Sequence, residues 1–159
     1  MHTDLWNHAL ALYGRPGVEK ACLTLQAQGG DVCLLLCGTW LQARRVVPNA
    51  QRVDELQQLA QAWQQNVISA LRALRQQWRA QAQDDPQLAT LREQVKGLEL
   101  DAERVLLERL QACARGWPTG PHGPIDDWLE RLAPNPLHDH SALHQLRAAA
   151  NGLQDAEGD

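Results

Sequence analysis

Apolar residues recur along this chain at intervals of three and four, the spacing that places them on one face of an α-helix. Leu5, Ala9, Leu12 and Tyr13 make the first such face, which Thr3 or Asp4 is placed to cap and Gly14 to end. Pro16 supplies the fixed φ of a first helical turn for a second helix, in which Val18, Ala21, Cys22 and Leu25 share a face and Gly29-Gly30 makes the stop. Asp31 then stands at the cap position of a third helix, from Val32 to about Ala43. Its Val32-Cys33-Leu34-Leu35-Leu36-Cys37 run is apolar all round, which predicts burial on every side. A buried strand fits the same run, but no second strand candidate is present to satisfy its backbone, so a helix is expected.

After the turn at Val46-Val47-Pro48-Asn49, residues 50–83 contain no proline or glycine and are rich in alanine, leucine, glutamine and arginine, which predicts one long helix. Val53, Leu56, Ala60, Trp63, Val67, Ala70 and Leu74 alternate steps of three and four, as does a second series of Leu88, Leu91, Val95, Leu98, Ala102 and Val105. Asp84-Asp85-Pro86 supplies a short turn, a cap and a first helical turn between them, so 50–114 is expected to fold back as an antiparallel αα-hairpin. A straight helix over 50–83 would be about 50 Å long at about 1.5 Å per residue, against a radius of gyration of roughly 15 Å for a compact chain of this size. The molecule is therefore elongated or the helix bends. Gly116 to Pro124 reads as a loop, followed by a short helix around Asp126 to Leu132, the Pro134-Asn135-Pro136 break and a last helix from Ser141 to about Ala150.

The expected fold is all-α: an N-terminal three-helix unit (1–45), a long antiparallel αα-hairpin (50–114) and short C-terminal helices (125–151). Together they form one domain over 1–153, with a flexible acidic tail at 154–159. Composition does not disturb this picture, with 44% hydrophobic and 21% charged residues, near the globular average. A net charge of −4 opposes whole-domain attraction to nucleic acid or anionic lipid. No apolar run reaches the roughly 18–20 residues of a membrane span, and the chain's start lacks the layout of a secretory leader. The four cysteines, Cys22, Cys33, Cys37 and Cys113, sit in apolar helical patterns, as expected of reduced thiols in the cytoplasm.

The segment LWNHALALYGRPGVEKACLTLQ with GGDVCLLLCGTWL, and VISALRALRQQW with LREQVKGLELDAERV downstream, resembles a bacterial family of conserved hypothetical proteins, a domain of unknown function. The resemblance covers most of 5–110 and implies no activity. Members often carry an aspartate after the Leu-Gln pair and an asparagine after Asp-Val; Ala27 and Cys33 stand there in this chain, which dilutes a polar cluster and weighs against catalysis.

Three constellations are candidates for function. Trp6, His8, Tyr13, Gln26, Asp31 and Trp40 come from the first three helices and can converge on a pocket, with His8 and Asp31 as an acid–base pair. The same residues also fit ordinary roles as cap, loop and core. Arg72, Arg75 and Arg79 share a helix face in a stretch that holds no acid. They read either as a partner-docking face or as a stripe paired with the acidic C-terminal segment. His138, His140 and His144 near Asp139 have spacing suited to zinc or nickel, without an HExxH motif. The leading expectation is a cytoplasmic interaction or regulatory protein with a protein partner, a homo-oligomer being the other arrangement considered, and no cofactor. A small-molecule binder or enzyme using the N-terminal pocket, and a metal-binding protein using the histidines, are the alternatives.

Overall fold

A computed structural model of the chain describes residues 3–137 and 139–158. The fold is all-α, and its order is α1 (Leu5–Tyr13), α2 (Val18–Ala27), α3 (Val32–Ala43), α4 (Ala50–Trp63), a π-helical turn (Gln64–Ile68), α5 (Ser69–Gln77), α6 (Arg79–Ala82), α7 (Pro86–Cys113), α8 (Trp128–Leu132) and α9 (Ser141–Gly158). Among the described residues the β-structure is an isolated bridge between Val46 and Thr119.

The helices begin where short polar side chains satisfy the free N–H groups of a first turn. Asp4 accepts from the Asn7 N–H at 2.8 Å, Asp31 from Leu34 at 3.1 Å, Asn49 from Arg52 at 2.8 Å and Asp85 from Leu88 at 3.2 Å. The expected caps at Asp4, Asp31 and Asp85 are thus in place. Helix α3 is the axis of the core, with every residue from Cys33 to Leu41 buried, and α1, α4, α7, α8 and α9 all pack on it. Gly38 lets α8 come close, because a Cβ there would lie 3.0 Å from Leu132 Cδ1 and 3.5 Å from Trp128 Cβ. Trp128 is fully buried and its indole N–H donates to the Val46 carbonyl at 2.6 Å, which ties α8 to the turn after α3. One buried apolar cluster takes side chains from α1 to α4 and from α7, α8 and α9.

The hairpin folds back as expected, with α4, α5 and α6 all lying on α7, but its seam differs from the one its heptads suggest. The π-helical turn adds a residue within the first arm and shifts the register beyond it. Ile68 is fully buried while Ala70, expected in the seam, is exposed. On the second arm Leu91 and Leu98 lie outside the seam, 49% and 54% exposed, and Glu99 is buried in it with Val95, Ala102, Leu106 and Leu110. The expected single helix over 50–83 is interrupted a second time at Trp78, where Arg92 Nε donates to the Arg75 carbonyl at 2.9 Å. The C-terminal helix is longer than expected. It runs through Gly152 to Gly158, so most of the predicted 154–159 tail is helical, as its alanine, leucine, glutamine and glutamate residues allow. Among the described residues, no helix is long and apolar enough to cross a membrane.

Candidate functional site

A cleft of about 1220 Å³ opens beside the N-terminus of α3, walled by α1, α4 with the π-helical turn, and α7, with α8, the segment 133–137 and the start of α9 also lining it. Its floor is polar and is assembled from distant segments. Asp31 reaches it as the cap of α3; burial raises its carboxyl above the ordinary value, against the pull of the Leu34 N–H, the Gln64 amide and Arg72. Gln64 is delivered by the first residue of the π-helical turn, and Trp63 beside it anchors that turn by donating its indole N–H to the Ala102 carbonyl at 2.9 Å. Glu103 comes from α7, where burial and then the neighbouring Glu99 raise its carboxyl, outweighing Arg72 and Arg75. Arg72 spans the two glutamates, with Nε 3.0 Å from Glu99 Oε1 and Nη2 3.6 Å from Glu103 Oε1. Above this floor the rim is apolar: Leu10, Tyr13 and Leu100 line the cleft and are 52%, 39% and 55% exposed.

Four of the six pocket residues expected from sequence, Trp6, Tyr13, Gln26 and Asp31, line this cleft; His8 and Trp40 do not. His8 is buried against α3, with Nε2 2.9 Å from the Thr39 hydroxyl oxygen, and Thr39 donates its own proton to the Leu36 carbonyl at 2.7 Å. The hydroxyl oxygen must therefore accept, which places the imidazole proton on Nε2. Burial lowers the pKa of His8 to about 4, so the ring is neutral at neutral pH. The anticipated His8–Asp31 pair is not formed: His8 pairs with Thr39, and Asp31 turns to its helix terminus and the cleft. Trp40 is buried, its indole N–H donating to the Thr3 carbonyl at 2.9 Å and its ring beneath the Arg44 guanidinium at 4.6 Å.

The arginine stripe is divided. Arg72 and Arg75 turn into the hairpin onto Glu99, while Arg79 is exposed. The acids that meet them belong to α7 rather than to the C-terminal segment, because the register shift at the π-helical turn rotates residues 72 and 75 toward the opposing arm. Glu99 in the seam and Glu103 one turn on along α7 are the candidate-site residues that apolar periodicity passed over. Their signal is a pair of acids four residues apart facing Arg72 and Arg75, three residues apart, on the other arm of the hairpin.

His138 lies outside the described residues. His140 and His144 are exposed with ring centroids 6.3 Å apart, and Arg147 Nη1 lies 2.7 Å from His144 Nδ1. Among the described residues, no group of three or more histidine, cysteine, aspartate or glutamate side chains is placed to hold a metal ion. The four cysteines are free thiols. Burial lifts Cys22 to about 11 and also lifts Cys33 and Cys37 well above the ordinary thiol value, which makes them packing groups rather than nucleophiles at neutral pH.

No curated protein and no solved structure matches the chain. Residues 4–110, which run from the cap of α1 to the closing turns of α7 and include every side chain of the polar floor, match the model of the family described as "Protein of unknown function (DUF2390)", and the chain belongs to that family.

Proposed function

We propose that this chain is a cytoplasmic interaction protein that receives a segment of a partner protein in the cleft between its N-terminal helices and its hairpin. The supporting observation is the pairing of an exposed apolar rim, Leu10, Tyr13 and Leu100, with a polar floor of Asp31, Gln64, Arg72 and Glu103 in one concavity. Leucine side chains left more than half exposed around a cleft lose contact with water when a partner covers them, at about 25 cal/mol for each Å². A volume of about 1220 Å³ exceeds the roughly 300–1,000 Å³ of sites that take small molecules. The arginine stripe is the weaker docking face, since two of its three members are engaged inside the hairpin. The free thiols are in keeping with a reducing compartment.

A photocrosslinking residue placed at Leu10 or Leu100 tests this in cells. One discrete protein adduct is expected from both rim positions and none from Gln94, exposed elsewhere on α7. Adducts of equal yield from all three positions, or from none, would remove the cleft from consideration. A second reading, a small-molecule binder, draws on the raised carboxyls of Asp31 and Glu103, since perturbed acids collect in ligand sites. Native mass spectrometry of the purified chain separates the two: a retained small mass lost in Tyr13→Ala favours the second.

A further inference from the structure

The floor of the cleft is short of one positive charge. Three carboxylates, Asp31, Glu99 and Glu103, are gathered there with two guanidinium groups, Arg72 and Arg75, while Glu130 and Arg131, which line the cleft from α8, add no net charge. Glu99 takes most of the compensation: Arg72 Nε at 3.0 Å, Arg75 Nε at 2.6 Å and Arg75 Nη2 at 3.3 Å all fall on its two oxygens. What is left for the cleft side is one long contact, Arg72 Nη2 to Glu103 Oε1 at 3.6 Å. Asp31 is served by dipoles rather than by a charge at contact distance, through the Leu34 N–H at 3.1 Å and the Gln64 amide. Asp31, Glu103 and Arg72 all line the cleft, so the uncompensated charge faces the space a partner would enter. The rim supplies the other half of the recognition. Leu10, Tyr13 and Leu100 form apolar walls above the carboxylates, the arrangement suited to a side chain with an aliphatic stem and a cationic end.

We propose that the cleft recognises a lysine or arginine side chain of the partner segment, with its charged nitrogen paired to Asp31 and Glu103 and its stem along Leu10, Tyr13 and Leu100. This rests on the reading of the cleft as an interface and adds the chemistry of its occupant. A carboxylate-bearing segment is repelled by the same floor, and a neutral one leaves two partly buried carboxylates without a counter-charge. A free amine of small size satisfies the floor but leaves the leucine rim uncovered, which is why a segment, with apolar residues flanking the basic one, is the occupant.

The test uses the full chain and four capped pentapeptides, Ac-Leu-Ala-Xaa-Ala-Leu-NH2, with lysine, arginine, norleucine or glutamate at Xaa. Affinity is measured by calorimetry at low ionic strength, and the site is located by amide NMR shifts at Gly30, Leu34 and Gln64. The lysine or arginine peptide is expected to bind at least about tenfold more tightly than the norleucine peptide, with the glutamate peptide weakest. The preference is expected to vanish in the Asp31→Asn, Glu103→Gln double variant, in which asparagine still caps α3. Glu103→Gln alone, with a partial loss of preference, serves should the double variant melt early. Equal binding of the norleucine peptide, or a preference that survives in the variants, overturns the cationic occupant while leaving the interface standing. Cadaverine binding as tightly as the lysine peptide overturns the segment in favour of a free amine. Absence of any shift at the three amides with all four peptides overturns the interface and the inference together.

Discussion

Arg75 and Glu99 meet across the hairpin by two contacts, Nε to Oε2 at 2.6 Å and Nη2 to Oε1 at 3.3 Å, and this fork holds a carboxylate in a seam otherwise filled by valine, alanine and leucine. Burial alone would push Glu99 up; the guanidinium groups of Arg75 and Arg72 outweigh it and hold the carboxyl below its ordinary value. A paired charge in an apolar seam fixes register more than it adds stability, because sliding either arm by one residue separates the partners. The π-helical turn makes the pairing possible, since the residue it adds brings Arg72 and Arg75 round to α7.

Charge reversal at these arginines therefore separates by position. Arg75→Glu places a like charge against buried Glu99 and is expected to lower the unfolding free energy by about 3 kcal/mol or more. Arg79→Glu, at an exposed position, is expected to stay within about 0.5 kcal/mol of the parent. The triple reversal of Arg72, Arg75 and Arg79 would consequently unfold or melt much earlier. Urea melts of the three variants check this; an Arg75→Glu variant as stable as Arg79→Glu would show that the fork contributes nothing.

Asp31 serves both as a cap and as a cleft carboxylate, and two substitutions separate these roles. Asp31→Ala removes the acceptor of the Leu34 N–H and is expected to cost about 1 kcal/mol, whereas Asp31→Asn keeps the acceptor and is expected to cost a few tenths. Equal losses in thermal melts would mean that the negative charge, and not the cap, stabilises the start of α3.

Gly97 lies within α7 with nothing inside 4 Å of where a Cβ would stand, and its φ is not in the left-handed region. Gly97→Ala removes backbone freedom from the unfolded chain without a clash, and a gain of about 0.5–1 kcal/mol is expected. A loss in chemical denaturation would mean that this stretch of α7 is not the regular helix described.

Helix existence, the caps at Asp4, Asp31 and Asp85 and the all-round burial of α3 were legible because they depend on local chemistry: a short polar acceptor before a periodic apolar run, or a run with no polar face. The resemblance across residues 5–110 was legible for the same reason, carried by contiguous motifs, and the family match spans residues 4–110. The hairpin's register was not. Heptad steps carried straight through Gln64–Ile68 put Ala70 inside, and the matching steps along α7 put Leu98 inside; only tertiary packing reveals the extra residue that brings Ile68 in and sets Glu99 against the arginines. The cleft was half legible: Tyr13, Gln26 and Asp31 belong to the segment read as a unit, while Gln64, Arg72 and Glu103 arrive from the hairpin, far along the chain. Convergence of the first three helices on a pocket was expected to pair His8 with Asp31, but the His8 ring turns inward to Thr39.

That inward turn makes His8 a source of pH-dependent stability with a definite sign. In the folded chain its pKa is about 4, against about 6.5 for an unburied histidine. Between those values the unfolded chain binds a proton that the folded chain does not, so acid favours unfolding. The contribution is intact above about pH 6.5 and is lost at roughly 1.4 kcal/mol per pH unit as pH falls toward about 4. Asp31 and Glu103, whose carboxyls are raised, act with the opposite sign at the acid end of this window, because the folded chain holds their protons more tightly. A difference measurement removes them. His8→Gln retains an N–H to give to the Thr39 oxygen but does not titrate, and is expected to cost about 1 kcal/mol at pH 7. The stability gap between parent and variant, measured by urea denaturation at pH 7, 6 and 5, is then expected to narrow as pH falls and to invert by pH 5, with the variant the more stable. A gap that stays constant across this range would mean that His8 is protonated alike in both states and is not the buried neutral donor that its place against Thr39 requires.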